Sequence, residues 1–174
     1  MPYSYSTCAA VLAGFLMLPT VGWTDELSLT GGAGWGVGMF NGTGKDVQQE
    51  VIVAGYSRSL SNRLELLAEV QALINHRPHS GQYLGGALNF KYNFGSPNQT
   101  IRPYLLAGGG AGHLDADLEQ SDGFNFLLQA AIGVTIKQVL RVEVRYHHIS
   151  NAKTRAPNPG LNSIMILVGP RWNF

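Results

Sequence analysis

From residue 27 to the end of the chain, apolar and polar side chains alternate, and clusters of Gly, Asn, Pro and Ser interrupt them. Eight stretches carry the alternation: 27–37, 48–59, 64–75, 82–95, 101–112, 124–136, 139–150 and 163–174. In the third, Leu64, Leu66, Ala68, Val70, Ala72 and Ile74 oppose Glu65, Leu67, Glu69, Gln71, Leu73 and Asn75. In the fourth, Leu84, Gly86, Leu88, Phe90, Tyr92 and Phe94 oppose Asn89, Lys91 and Asn93. A period of two sends neighbouring side chains to opposite faces of a strand. The pattern therefore predicts eight strands, each with one apolar face. The connections read as alternately long and short: a polar loop at 41–46, Ser61-Asn62, a loop at 77–81, a turn at 96–99, an acidic loop at 115–123, Lys137-Gln138, and an Asn- and Pro-rich loop before residue 163.

Composition decides what the apolar faces meet. Only 13% of the 174 residues are charged, about half of what a soluble domain carries, while 45% are hydrophobic and 22 are glycine. No run of about 18 apolar residues exists, so a membrane-spanning helix is excluded. Low charge without a long apolar run suits an eight-stranded antiparallel transmembrane β-barrel, in which only alternate residues face lipid. A soluble barrel of the lipocalin kind also alternates, but its apolar face points inward. Here the opposite faces carry Glu65, Glu69, Lys91, Arg141, Glu143 and Arg145, a set able to pair inside a narrow barrel. Eight strands leave a filled interior, which disfavours a pore. The net charge of +1 and the scattered basic residues give no footing for nucleic acid.

The ends of the chain fit export to an outer membrane. Residues 9–18 are an apolar core, followed by Pro19 and small residues, as in a signal peptide, although the first seven residues contain no Lys or Arg. The expected division is a cleaved signal over 1–23 and a barrel over 24–174. Cys8, the sole cysteine, falls in the signal and lacks a lipoprotein context, so the mature chain has no disulfide. At the other end, Ile164, Ile166, Val168, Pro170 and Trp172 alternate up to a terminal Phe174. That final strand resembles the signal read by the outer-membrane assembly machinery, an expected partner. A homodimer is left open.

The seventh stretch carries the candidate chemistry. Leu140, Val142, Val144, Tyr146, His148 and Ser150 share one face, so a base and a hydroxyl stand at the end of an apolar row. With both termini periplasmic, the seventh strand rises outward, and His148 and Ser150 reach the lipid side at the height of the outer leaflet. The neighbouring molecule there is lipopolysaccharide, whose lipid A carries ester-linked acyl chains, and a Ser-His pair is suited to hydrolysing them. The same residues at an interface also serve as plain hydrogen-bonding partners of headgroups or loop backbone. His147 points the other way, with Arg145, and reads as structural. His76, His79 and His113 are expected in external loops. The spacing of His76 and His79 has no Asp, Glu or Cys beside it, so no metal is expected.

His148-Ile-Ser150-Asn151-Ala152, followed by Pro157-Asn158 and Gly160, resembles the signature of the PagL family of lipid A 3-O-deacylases. The resemblance lies in residues 145–162, and the signal, strand count and terminal Phe agree with it in a generic way. It implies an eight-stranded outer-membrane barrel with a Ser-His-acid triad facing the bilayer and no cofactor. By that resemblance Ser150 is the nucleophile and His148 its base, while Asn151 and Asn158 support the loop or the oxyanion. The family's acid falls at Asn162, and no Asp or Glu follows Glu143, which lies on the opposite face of the strand. Asn162 is then expected to orient His148 through its carbonyl oxygen, giving a slower enzyme. Lys153 and Arg155 are placed to meet lipid A phosphates, or are simply solvated. The competing reading is a non-catalytic structural or adhesive barrel with a decayed motif.

Overall fold

The protein is seen in a computed structural model that describes residues 25–37, 47–77, 80–116, 123–154 and 160–174. Residues 1–23, expected to be an export signal, lie outside the described residues. Eight strands follow in order: β1 (Asp25–Gly36), β2 (Gln48–Ser59), β3 (Leu64–Arg77), β4 (Gly81–Asn93), β5 (Ile101–Ala116), β6 (Gly123–Ile136), β7 (Leu140–Ser150) and β8 (Leu161–Asn173). Each pairs antiparallel with the next, and β1 pairs with β8, closing the barrel. Closure leaves no strand edge, which is what a sheet in hydrocarbon requires, because lipid offers its backbone groups no partner.

The strand count agrees with the alternation, but several ends move. β5 runs on to Ala116, so His113 and Asp115, expected in a loop, are strand residues paired with Leu84 and Gln82. β3 continues through His76, whose ring meets Glu50 at 3.2 Å on the same rim. β8 begins at Leu161, which brings Asn162 out of the loop and into the sheet. Around His113, Asp115 and Asn162 pairing continues while the adjacent Leu114 and Leu161 still bury apolar side chains on the other face. The expected alternation of long and short turns fails with them: β3 and β4 are joined across residues 78–80, whereas β4 and β5 are joined across 94–100.

Outward faces carry Leu29, Ile52, Leu88, Leu105, Ile132 and Ile166, all exposed, which forms an apolar belt around the barrel. Two of the groups that fill the lumen lie beneath the outer face of β7. Towards the rim where β7 meets β8, the lumen holds an aliphatic cluster that includes Val51, Leu73, Leu127, Ile149 and Met165. Below lies a buried charge network. Glu69 receives Arg145 through both carboxylate oxygens at 2.8 Å, and Glu143 receives Arg141 at 2.8 Å. Tyr104 donates to Glu143 at 2.6 Å, and Gly133 makes room for that ring, since a Cβ there would stand 2.4 Å from it. Two arginines alternating with two glutamates leave the network neutral, so its charges are buried as pairs. His147 lies in this interior, 2.7 Å from Gln129 through Nε2, in the structural setting expected of it.

Removing one member of a buried ion-pair network strands its partners and costs about 3–5 kcal/mol. Glu69→Ala is accordingly expected to lower the unfolding free energy of the barrel, measured by urea titration in lipid vesicles, by about that amount. A loss below about 1 kcal/mol would contradict an ionic role for the network.

Candidate active site

The site stands on the outer surface at the rim opposite the described chain ends. On β7, Tyr146, His148 and Ser150 follow one another along the outward face, successive side chains about 7 Å apart at the backbone. All three are half-buried. Across β6, Ser150 is paired with Phe126 and His148 with Leu128, so the flank of the site is apolar. Phe126 is held edge-on by Phe124, with ring centroids 5.3 Å apart. Across β8, His148 is paired with Asn162 and Tyr146 with Ile164.

That second pairing assembles the polar part of the site. Asn162 Oδ1 lies 2.7 Å from His148 Nδ1 and also accepts the Tyr146 hydroxyl at 2.7 Å. Asn162 is fully buried, on the face where its strand neighbours Ile164 and Ile166 are exposed. Against a carbonyl oxygen, Nδ1 carries the imidazole proton, which leaves Nε2 as a lone pair able to accept a proton. Gly160 closes the other side of the ring. Its φ of +65° favours glycine, and a Cβ there would come within 3.1 Å of His148 Cε1.

After Ser150 the chain turns sharply. Ala152 and Lys153 both have positive φ, 51° and 62°, and the Thr154 N–H donates to the Asn151 carbonyl at 3.0 Å. This is a type I′ turn built without glycine, a strained choice for L-residues. Asn151 holds it: the side-chain oxygen takes the Lys153 N–H at 2.9 Å, and the Thr154 hydroxyl donates to its carbonyl at 2.7 Å. Asn151 is buried here. Lys153 is exposed beside the nucleophile candidate. Arg155 and Asn158 lie outside the described residues, as does His79. Among the described residues, no group of three or more His, Cys, Asp or Glu is arranged to hold a metal.

The structure thus brings His148, Ser150 and Asn162 to one patch and keeps Glu143 inside the barrel, in its network with the arginines. Two neighbours were not foreseen as part of the site. Tyr146 counted only as a member of the apolar face, and Phe126 becomes a neighbour only through the β6–β7 register. The spacing of Tyr146 from His148 was the available signal for the first, and none existed for the second.

Three comparisons bear on identity. A family model described as lipid A 3-O-deacylase (PagL) matches residues 20–171, which takes in β1 to β7 and all but the last two residues of β8. Among solved structures, the chain is similar to the outer membrane enzyme PagL, with 19% identity over 83% of this chain and 97% of that one and a TM-score of 0.65. It is similar also to Neisserial surface protein A (17% identity, 88% and 98% covered, TM-score 0.58). A third is the N-terminal β-barrel domain of Pseudomonas aeruginosa OprF (14% identity, 86% and 97% covered, TM-score 0.51). At these identities the structures show a shared outer-membrane barrel fold. No curated protein matches the chain at a significant level. The family match covers nearly the whole barrel, and the chain belongs to the PagL family of lipid A 3-O-deacylases, enzymes of the outer membrane.

Proposed function

We propose that this chain removes an ester-linked 3-hydroxyacyl chain from lipid A by a serine mechanism on the outer wall of the barrel. The observation that carries the reading is the 2.7 Å contact between Asn162 Oδ1 and His148 Nδ1, on the same strand face as Ser150. With Nδ1 protonated, His148 Nε2 takes the proton of Ser150 as its oxygen attacks the ester carbonyl. The tetrahedral intermediate then collapses, and the 3-oxygen of the lipid leaves with the proton returned by His148. Water, deprotonated by the same nitrogen, attacks the Ser150 acyl ester and releases the 3-hydroxy fatty acid. The turn held by Asn151, and Asn158 beyond it, are the residues assigned to supporting the loop and the oxyanion.

An amide in the third position accepts the imidazole hydrogen bond but supplies no charge to offset the imidazolium. A slower reaction than with a carboxylate follows, because a charged acceptor is roughly twice as strong a partner. The apolar flank of Phe126 and Leu128 suits a substrate arriving sideways from the bilayer. In this reading the rim bearing residues 151–160 is external, residues 1–23 are removed on export, and Lys153 with Arg155 meets the lipid A phosphates. Strand β8 is the part read by the assembly machinery. The rival reading, a structural barrel with a decayed motif, draws on the same amide at 162.

Mass spectrometry of lipid A from cells expressing the chain separates the two. The wild type is expected to produce lipid A lacking one 3-hydroxyacyl chain, and Ser150→Ala and His148→Gln are expected to leave lipid A intact. Identical lipid A in all three strains would favour the structural barrel. Gly160→Ala tests the support of the ring. It should reduce deacylation at least about tenfold, equivalent to about 1.4 kcal/mol of barrier, while the barrel still folds. Full activity in that variant would mean that the ring is not held against residue 160.

A further inference from the structure

We infer that Tyr146 is a positioning residue that sets the tautomer of His148 by orienting the Asn162 amide; this rests on the serine mechanism proposed above. A carboxylate in the third position needs no such help, because either of its oxygens accepts the Nδ1 proton. An amide has two unlike ends. With Oδ1 towards the ring, Nδ1 carries the proton and Nε2 is a base. With the amide nitrogen towards the ring, Nδ1 becomes the acceptor, the proton moves to Nε2, and His148 can no longer deprotonate Ser150. Replacing an acid by Asn therefore creates a choice between a working and an idle tautomer.

Tyr146 biases that choice. It lies two residues before His148 on the same outward face, and its hydroxyl donates to Asn162 Oδ1 at 2.7 Å, the same oxygen that faces Nδ1 at 2.7 Å. A phenol is a strong donor and a poor acceptor, since its oxygen lone pair is shared with the ring. It therefore favours the amide oxygen over the amide nitrogen as its neighbour. Tyr146 is half-buried on the outer wall, where it lines an apolar groove of about 500 Å³ with Phe90, Leu105, Ile132, Val144 and Ile164. From there its hydroxyl meets the fully buried Asn162.

The test uses the full chain purified in detergent, with 15N-labelled histidine and the His148 signals assigned by their loss in His148→Gln. In the wild type, His148 should be protonated at Nδ1. In Tyr146→Phe the population should shift towards the Nε2-protonated form, and kcat on lipid A in mixed micelles should fall about tenfold with KM unchanged. In the Asn162→Asp background, where both acceptor atoms are oxygens, Tyr146→Phe should change kcat less than twofold. Asn162→Asp alone should hold the Nδ1-protonated form, a point read without altering the tyrosine. An unchanged tautomer and kcat in Tyr146→Phe overturn the inference, as does an equal tenfold loss in the Asn162→Asp background. If Ser150→Ala retains wild-type deacylation, the serine mechanism falls and this inference with it. If Ser150→Ala is inactive while Tyr146→Phe matches the wild type, only the role of Tyr146 falls.

Discussion

Backbone hydrogen bonds have no water to turn to in hydrocarbon, so a membrane-spanning sheet must close on itself, and the rest of this molecule follows from that closure. Once β1 meets β8, every strand has two neighbours and its residues sort strictly into lumen and lipid faces. The register of one ladder then decides which side chains on adjacent strands can touch. The β7–β8 ladder sets His148 opposite Asn162 and Tyr146 opposite Ile164. A slip of one residue would turn Asn162 into the lumen and remove the only side chain here bonded to Nδ1 among the described residues. The site is therefore a consequence of sheet register more than of loop conformation.

Filling the lumen keeps that register in place. Arg141, Glu143 and Arg145 alternate with the outward residues Val142, Val144 and Tyr146 along β7. The inward charges bond Glu69 on β3 and Tyr104 on β5, across the barrel from their own strand. A shift of β7 along its neighbours would separate these partners and leave charges buried without compensation. The same strand thus carries the buried ion network on one face and the proposed site on the other. Its inner face fixes the height at which the outer face presents Tyr146, His148 and Ser150.

Much of this was legible in the alternation itself. A period of two with few charges distinguishes lipid-facing from lumen-facing positions, and it assigned Glu69, Lys91 and Glu143 inward and His148 and Ser150 outward without any coordinates. Strand ends were harder, because pairing does not stop where polarity begins. His76, His113 and Asn162 all looked like loop residues, yet ladder bonds extend past them while Leu114 and Leu161 bury the opposite face. The third member of the site was named by its distance from the motif's glycine, but that it lies in a strand, buried and shared with a tyrosine, depends on cross-strand register. Phe126 was beyond reach for the same reason, since its nearness to Ser150 crosses a ladder, not a sequence interval.

In the proposed mechanism, closure and register make one serine on the lipid-facing wall nucleophilic. That mechanism is tested most directly by treating the folded, purified chain with a fluorophosphonate and mapping the adduct by peptide mass spectrometry. A single adduct is expected on Ser150, and it should disappear in His148→Gln and after unfolding. An adduct on another serine, or labelling of Ser150 that is indifferent to His148, would contradict the mechanism.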